Sequence, residues 1–332
     1  MDTIRLMKES GIVDFLDTWS IYCIVGHKEP DGDCIGSQLA LASFLSRRGK
    51  RVLLLSSGPF ARTEIARYAR FFSDKLDPLD IIMGQTALVV LDCSSIPRIG
   101  AIADSIPAGL PVAFIDHHAA GDARGDVRFV DTKAPAVTCL IQAIIESDGA
   151  PTKEEAEYLL FGLCTDTGFF RHLDERSADV FSMASRLVLA GASPKSAFEL
   201  MNGGKPFASR KFMGELLNKA EAHYDGKLII TSASLEDQER YGLVGRDSDM
   251  LYQLLMTVEG MEVAVVVRQE SPDDCTVGFR SRDTIDVSTI AAAFGGGGHR
   301  LASGLHIAGQ VDDIVAKMIA AFAPVFSTGL PL

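Results

Sequence analysis

The sequence is poor in the features that mark several common protein classes. No uninterrupted apolar run approaches the roughly 18 residues that a membrane-spanning helix requires, so no bilayer-crossing segment and no membrane partner are expected. The first ten residues contain no apolar core of the kind a secretory leader carries. The six cysteines (Cys23, Cys34, Cys93, Cys139, Cys164, Cys275) include no Cys-x-x-Cys pair and mostly sit in or beside apolar stretches. That pattern excludes a disulfide scaffold and reads as reduced core thiols of a cytoplasmic protein. Positive charge is scarce: 32 Lys and Arg face 44 Asp and Glu, for a net charge of −12. An extended basic surface for long duplex nucleic acid is thereby excluded. A short anionic substrate is not, because metals and a few arginines can override the global sign locally. There is no internal repeat and no low-complexity segment. With 332 residues, 47% of them hydrophobic and 23% charged, the chain is globular and too long for one ordinary core, so about two domains are expected.

The N-terminal half alternates strand-like and helix-like stretches. Residues 21–25 are a short apolar run that ends in Gly26, and 35–48 carry apolar residues at helical spacing up to Gly49. Further strands are predicted over 51–55, 87–91 and 112–115, and helices over 63–72, 136–146, 153–162 and 177–190. Such alternation implies an α/β fold with a doubly wound, mostly parallel sheet covered on both faces. Past Gly191 a further helix is predicted over 206–224. The pattern then changes. Residues 228–232, 262–269 and 275–280 alternate like antiparallel strands, 249–258 read as helical, and an amphipathic helix covers roughly 311–322. The expected organisation is a catalytic metal-binding domain over 1–190, a helical connector over 191–224, and a smaller α/β domain with a mixed sheet over 225–332.

What the chain does have is a set of aspartates and histidines at the ends of four apolar segments. These are Gly26-His27-Lys28-Glu29-Pro30-Asp31-Gly32-Asp33, Leu91-Asp92, Ile115-Asp116-His117-His118 and Cys164-Thr165-Asp166-Thr167-Gly168. Side chains at the ends of neighbouring parallel strands converge on one crevice. Four such ends can build a site for two divalent cations, an arrangement used mostly for phosphoryl chemistry. Pro30 keeps the preceding residue extended and Gly32 permits a sharp reversal, so Asp31 and Asp33 can flank one point with His27 behind them. Each piece also has a plainer role: Asp31 or Asp33 can cap the helix that starts near Cys34, Asp92 can cap the loop at Ser94 and Ser95, and Asp166 can be a turn residue. His117 and His118 point to opposite sides if the chain stays extended, so that one can ligate while the other faces a ligand. Carboxylates with imidazoles suit Mn²⁺, with Mg²⁺, Co²⁺ or Zn²⁺ behind it.

Taken together, these segments resemble the four motifs of the DHH phosphoesterases, named for the triplet that here is Asp116-His117-His118. The stretch Phe294-Gly295-Gly296-Gly297-Gly298-His299-Arg300-Leu301-Ala302-Ser303-Gly304, preceded by Val277-Gly278-Phe279-Arg280-Ser281, resembles the signature of the DHH-associated substrate domain. The resemblance covers nearly the whole chain and is nearest to the RecJ-like nanoRNase group of bifunctional oligoribonucleases and 3′-phosphoadenosine-5′-phosphate (pAp) phosphatases. It implies a two-metal phosphoesterase acting on short RNA or DNA oligonucleotides, dinucleotides such as pApA, or pAp. It further implies that His27 and Asp31 hold one ion, that Asp33, His117 and Asp166 hold the second, and that Asp92 bridges them. His118 would face the scissile phosphate and Asp116 would orient the neighbouring histidines. Arg280, Gly296, Gly297, Gly298, His299 and Arg300 would bind substrate. Two departures are small: Cys34 occupies a place where alanine is usual, and Leu301-Ala302-Ser303 differs slightly from the usual small-residue run, and neither removes a ligand.

The glycine run has a physical reading of its own. It lets the backbone approach a ligand and present N–H groups to anions, while His299 and Arg280 add charged donors. Arg98 and Arg171 lie near the Asp/His motifs and are candidates for phosphate contact. Four alternatives remain open. A cyclic-di-AMP phosphodiesterase shares the motifs. A manganese pyrophosphatase resembles the N-terminal half but carries a different second domain. A longer RecJ-type exonuclease has an additional oligonucleotide-binding domain. A non-catalytic nucleotide-binding regulator would have a degraded ligand set, whereas here every expected ligand is present. A homodimer through the exposed face of the N-terminal domain is compatible with the sequence.

Overall fold

The computed structural model describes residues 2–118, 121, 125–242 and 248–327, which fall into two compact units, Met1–Gly204 and Lys205–Leu332. In the first unit, α1 (Asp2–Ser10) and α2 (Ile12–Thr18) precede β1 (Ile21–Gly26), α3 (Gly32–Arg47), β2 (Arg51–Leu55), the four-residue α4 (Thr63–Ala66), β3 (Thr86–Leu91), a 3₁₀ segment (Ile96–Ser105), β4 (Val112–Asp116) and β5 (Val127–Val130). Helices α5 (Val137–Glu146), α6 (Lys153–Asp166), α7 (Ala178–Leu189) and α8 (Pro194–Asn202) complete it.

The five strands are all parallel, in the order β2-β1-β3-β4-β5. Continuous apolar runs make this possible, because a parallel sheet is covered on both faces. Tyr22, Ile24, Val89 and Leu91 face the core built with α3, α5 and α6, whereas Cys23, Val25, Leu88 and Val90 pack with Ile99 and Ile102 of the 3₁₀ segment. The strand order reverses between β1 and β3, and a crevice outside the carboxyl ends of the strands opens at such a point. Helices α3 and α6 cross close enough to exclude side chains: a Cβ on Gly36 would meet the Tyr158 carbonyl at 2.6 Å, and one on Gly162 would lie 3.1 Å from Asp33 Cα.

The second unit contains α9 (Phe207–Asn218), β6 (Glu221–His223), β7 (Leu228–Ala233), α10 (Leu235–Tyr241), α11 (Ser248–Leu255), β8 (Val263–Ser271), β9 (Asp274–Ser281), α12 (Val287–Ala293), β10 (Gly297–His299), β11 (Ala302–Ala308) and α13 (Val311–Ser327). Its six strands run in the order β10-β11-β9-β8-β7-β6. Along β8 the side chains alternate: Val263, Val265 and Val267 pack under α13, while Ala264 and Val266 pack with Met213 and Leu216 of α9 and Leu251 of α11.

Several local expectations change. The helix predicted over 206–224 stops at Asn218, and Glu221–His223 instead forms a strand that pairs with β7. The stretch read as a connector divides: Ala197 of α8 is buried in the first unit's core, and Met213 of α9 in the second's. Strands β7 and β8 are parallel, not antiparallel. The glycine-rich run is not only a loop, because Gly297–His299 is an edge strand. Among the described residues no helix is long and apolar enough to cross a membrane, and all six cysteines are free and buried.

Candidate active site

The first unit gathers the aspartates and histidines at the carboxyl edge of its sheet. His27 follows β1, Asp92 follows β3, and Asp116, His117 and His118 end and follow β4; Asp31 and Asp33 stand at the start of α3, and Asp166 is the last residue of α6. His27 Nε2 lies 3.3 Å from Asp92 Oδ2 and 4.0 Å from Asp31 Oδ1. His117 Nε2 lies 3.6 Å from Asp92 Oδ1 and 3.5 Å from Asp166 Oδ2. Three donor groups result: His27, Cys34 and Asp92; Asp92, His117 and His118; and Asp33, His117 and Asp166. Asp92 is common to two of them.

Asp31 and Asp33 both take the capping role that sequence left open. Asp31 Oδ1 accepts from the Asp33 and Cys34 amides and so caps α3. Asp33 caps a different helix. The residue before α5, Ala136, has no side chain for the task, and the Asp33 carboxylate accepts from Val137 N at 2.5 Å, Thr138 N at 2.9 Å and Thr138 Oγ1 at 2.8 Å. Each carboxylate oxygen has two lone pairs, so this capping leaves Asp33 acceptor capacity for an ion.

The three histidines share one arrangement. His27 Nδ1 contacts the Lys28 carbonyl at 2.8 Å and His117 Nδ1 contacts the Ala134 carbonyl at 3.0 Å. A carbonyl only accepts, so each Nδ1 carries the proton and Nε2 keeps its lone pair, the tautomer a metal requires. His118 Nδ1 is held at 2.8 Å by Asp116 Oδ1. Asp116 is fully buried and also accepts from Ser94 Oγ and from the His117 and His118 amides. Burial alone would raise its pKa, but hydrogen bonds from His118 and Ser94 hold it below the usual carboxylate range. The two histidine rings do not diverge. Strand β4 ends at Asp116, and the ring centroids lie 4.5 Å apart.

The remaining carboxylates crowd one another. Burial, then the charges of Asp33 and Asp31, pushes Asp92 well above its ordinary value. Burial, then Asp33, Asp31 and Asp92, pushes Asp166 up to about 10. Burial and then Asp31 also raise Asp33. Asp92 is 2% exposed, its Oδ1 has no hydrogen-bond partner, and its backbone sits at φ 59°, a left-handed conformation that aspartate tolerates better than most residues. Such strain is characteristic of functional positions. Imidazole lone pairs, crowded carboxylates and an orphaned buried oxygen fit divalent cations.

In the second unit, the register places His299, Ala302 and Arg280 side by side across β10, β11 and β9. Two residues along, and therefore on the same face, Gly297, Gly304 and Gly278 form a second row. The result is a glycine row whose Gly278 end lies under the Tyr252 hydroxyl, 2.3 Å from where a Cβ would stand, bordered by a histidine and an arginine with only a methyl between them. The Arg280 guanidinium lies 4.7 Å from the centroid of the Tyr252 ring. The glycines are not equivalent. A Cβ on Gly296 would meet Leu305 Cβ at 2.3 Å, and one on Gly298 would meet the Ala302 carbonyl at 2.6 Å, so packing demands both; a Cβ on Gly297 meets nothing within 4 Å. Arg300 donates to the Thr284 carbonyl at 3.2 Å.

Sequence reasoning missed Val137 and Thr138, which hold Asp33, and the buried Ser94, which holds Asp116. No local signal marks them, because the partners lie 104, 105 and 22 residues apart. It also missed Arg62, whose charge offsets a small part of the rise at Asp166, as that of Arg98 does at Asp92.

Comparison with known proteins finds family matches over both units. The family model "DHH family, N-terminal domain" matches residues 21–163, and "DHHA1 domain" matches residues 225–323. The chain is 30% identical over 303 residues to the bifunctional oligoribonuclease and PAP phosphatase NrnA of Thermus thermophilus, covering 90% of this chain and 88% of that protein. It is 26% identical over 312 residues to the protein of the same name from Bacillus subtilis, covering 88% and 91%. An exopolyphosphatase-related protein from Bacteroides fragilis shares the fold, with a TM-score of 0.81 at 21% identity over 97% of this chain and 98% of that one.

Proposed function

This chain belongs to the DHH family of phosphoesterases, and on that premise we propose that it hydrolyses short oligoribonucleotides and dinucleotides and removes phosphate from 3′-phosphoadenosine-5′-phosphate. The observation that carries the reading is the set of imidazoles with Nδ1 already engaged, gathered around a buried Asp92 whose Oδ1 has no partner. Two divalent ions are proposed, Mn²⁺ first: His27, Asp31 and Asp92 for one, and Asp33, Asp92, His117 and Asp166 for the other. When bound, they neutralise charge on the phosphoryl oxygens and make a water acidic enough to serve as nucleophile near neutral pH.

The chain's own residues do the rest. Lys28 O and Ala134 O fix the tautomers of His27 and His117. Asp116 holds the Nδ1 proton of His118 and stabilises a positive charge on that ring, so His118 Nε2 can carry a proton and give it to the leaving sugar oxygen. His118 suits this task because its side chain is 43% exposed, whereas Asp116 behind it is fully buried. In the second unit, Arg280 and His299 are proposed to bind the anionic end of the nucleotide over the glycine floor, with Gly296, Gly297, Gly298 and Arg300 shaping that surface.

A substrate panel with added Mn²⁺ tests the reading: pApA, a five-nucleotide RNA, a twenty-four-nucleotide RNA, pAp, cyclic di-AMP and pyrophosphate. Release of mononucleotides from pApA and the short RNA, with slow turnover of the long one, is expected. Hydrolysis of pyrophosphate alone moves the assignment to that branch, and silence on every compound leaves a nucleotide-binding role.

The substrate surface carries its own prediction. Gly297→Val adds a side chain to the floor without meeting the chain, so thermal stability should stay within about 0.5 kcal/mol while KM for pApA rises on the order of tenfold or more. Gly296→Ala should instead lower stability, because Leu305 and the Gly304 carbonyl occupy the space. Equal KM for wild type and Gly297→Val would remove the floor from the binding site.

A further inference from the structure

Cys34 is the one donor in the site to which the chemistry above gives no task. Its thiol is completely buried in the first turn of α3. It stays near the ligand set because β1 ends in a residue without a side chain: a Cβ on Gly26 would lie 2.1 Å from Cys34 Sγ, so any larger residue there would evict the sulfur. From the other side, Sγ donates to Gln38 Oε1 at 3.6 Å, and Gln38 is pinned by its own bonds to the carbonyls of Ile24 at 3.2 Å and Leu55 at 3.0 Å. The sulfur is thereby placed by β1, β2 and α3 together. In that position, ligand atoms of Cys34, His27 and Asp92 lie within 4.8 Å of one another. Asp92, 2% exposed, turns Oδ2 toward this group, 3.3 Å from His27 Nε2, and its unpartnered Oδ1 toward His117 on the other side.

We propose that Cys34 Sγ joins His27 and Asp92 in a mixed sulfur, nitrogen and oxygen position for a thiophilic divalent cation of the Zn²⁺, Co²⁺ or Cd²⁺ class, so that the two ion positions differ in chemistry. The group of Asp33, His117 and Asp166 offers only nitrogen and oxygen, which suits Mn²⁺ or Mg²⁺. The group with Cys34 offers the set that borderline and soft ions select. When sulfur takes the cation, the thiol proton leaves to solvent and the hydrogen bond to Gln38 is exchanged for the metal bond. The proposal rests on the metal-centre reading, and it extends it: a centre with two unlike positions can hold two different metals at once.

The test titrates metal-free protein with Co²⁺ and with Cd²⁺ and records near-ultraviolet sulfur-to-metal charge-transfer absorption, with cadmium NMR of the wild type as a second measurement that needs no variant. A charge-transfer band that saturates at one equivalent is expected. It should vanish in Cys34→Ala and persist in Cys93→Ala, the control for the buried thiol adjacent to Asp92 in sequence. Cd²⁺ affinity should fall by about tenfold or more in Cys34→Ala, with Mn²⁺ affinity little changed. Co²⁺ binding seen in its visible spectrum but without a sulfur band, a band that survives Cys34→Ala, or a cadmium shift typical of oxygen and nitrogen ligands alone overturns the role of Cys34 and leaves the metal centre standing. No binding of any divalent ion to the wild type overturns both.

Discussion

Asp92→Asn should lower turnover by on the order of 10³-fold at saturating Mn²⁺ and, at the same time, make the metal-free protein more stable. Both effects follow from one geometry. Asp92 faces His27 at 3.3 Å on one side and His117 at 3.6 Å on the other, and among the described residues it is the only carboxylate shared by two of the donor groups proposed to hold ions. Without ions it is a buried acid crowded by Asp33, Asp31 and Asp116, which costs stability whether it ionises against them or takes up a proton. The amide removes that cost, keeps the shape and tolerates the left-handed backbone. Each kcal/mol recovered should raise Tm by roughly 2–4 °C. Added Mn²⁺ should then stabilise the wild type strongly and the variant little. Asp33→Asn should behave in the opposite way without metal. Its single carbonyl cannot serve Val137 and Thr138 together, and loss of this cap should cost about 1–2 kcal/mol. Differential scanning fluorimetry with and without Mn²⁺ separates the two. Shifts of the same sign for both metal-free variants, or turnover of Asp92→Asn within tenfold of wild type, would show that the centre is not built this way.

Gly162→Val should cost about 3 kcal/mol or more, through overpacking at a contact between backbones. A Cβ there meets Thr138 Cγ2 at 2.5 Å and Asp33 Cα at 3.1 Å, neither of which can move without shifting α5 or α3. The loss is therefore expected in two readouts. The denaturation midpoint falls, and whatever protein remains folded binds Mn²⁺ more weakly, because Asp33 and its caps on α5 are displaced. The comparison is Gly214→Ala on α9, where an added Cβ meets nothing within 4 Å and alanine favours the helix. A midpoint for Gly162→Val within about 0.5 kcal/mol of wild type would mean that α3 and α6 can separate without consequence.

The strand ends were legible because each apolar run stops at a charged residue: Val25 before Gly26 and His27, Leu91 before Asp92, and Ile115 before Asp116. A parallel sheet leaves that signature in sequence, since its interior strands are buried on both faces. What holds those residues was not legible, because Asp33 meets Val137, and Asp116 meets Ser94, only after the chain has folded. The helix read over 206–224 failed for a related reason. Nothing in Leu217-Asn218-Lys219-Ala220 breaks a helix, yet the turn at Tyr224, Asp225 and Gly226, all with positive φ, folds Glu221–His223 back onto β7. The direction of β8 was hidden as well. Alternation along Val263–Val267 reports two buried faces, and it is the same whether the neighbour runs parallel or antiparallel. Glycine disguised β10, whose residues are poor strand formers held in place by pairing with Ala302–Gly304.

The row of Gly297, Gly304 and Gly278 has a consequence for selectivity. Bases are told apart by the donors and acceptors that side chains hold against their edges. Gly297 and Gly304 offer none, the Tyr252 hydroxyl stands over Gly278, and the flanking His299 and Arg280, if they bind substrate as proposed, address charge and ring faces, which all four nucleotides possess. On the proposed reading, a row with so few side chains discriminates little between letters, which would suit an enzyme that finishes fragments of arbitrary sequence.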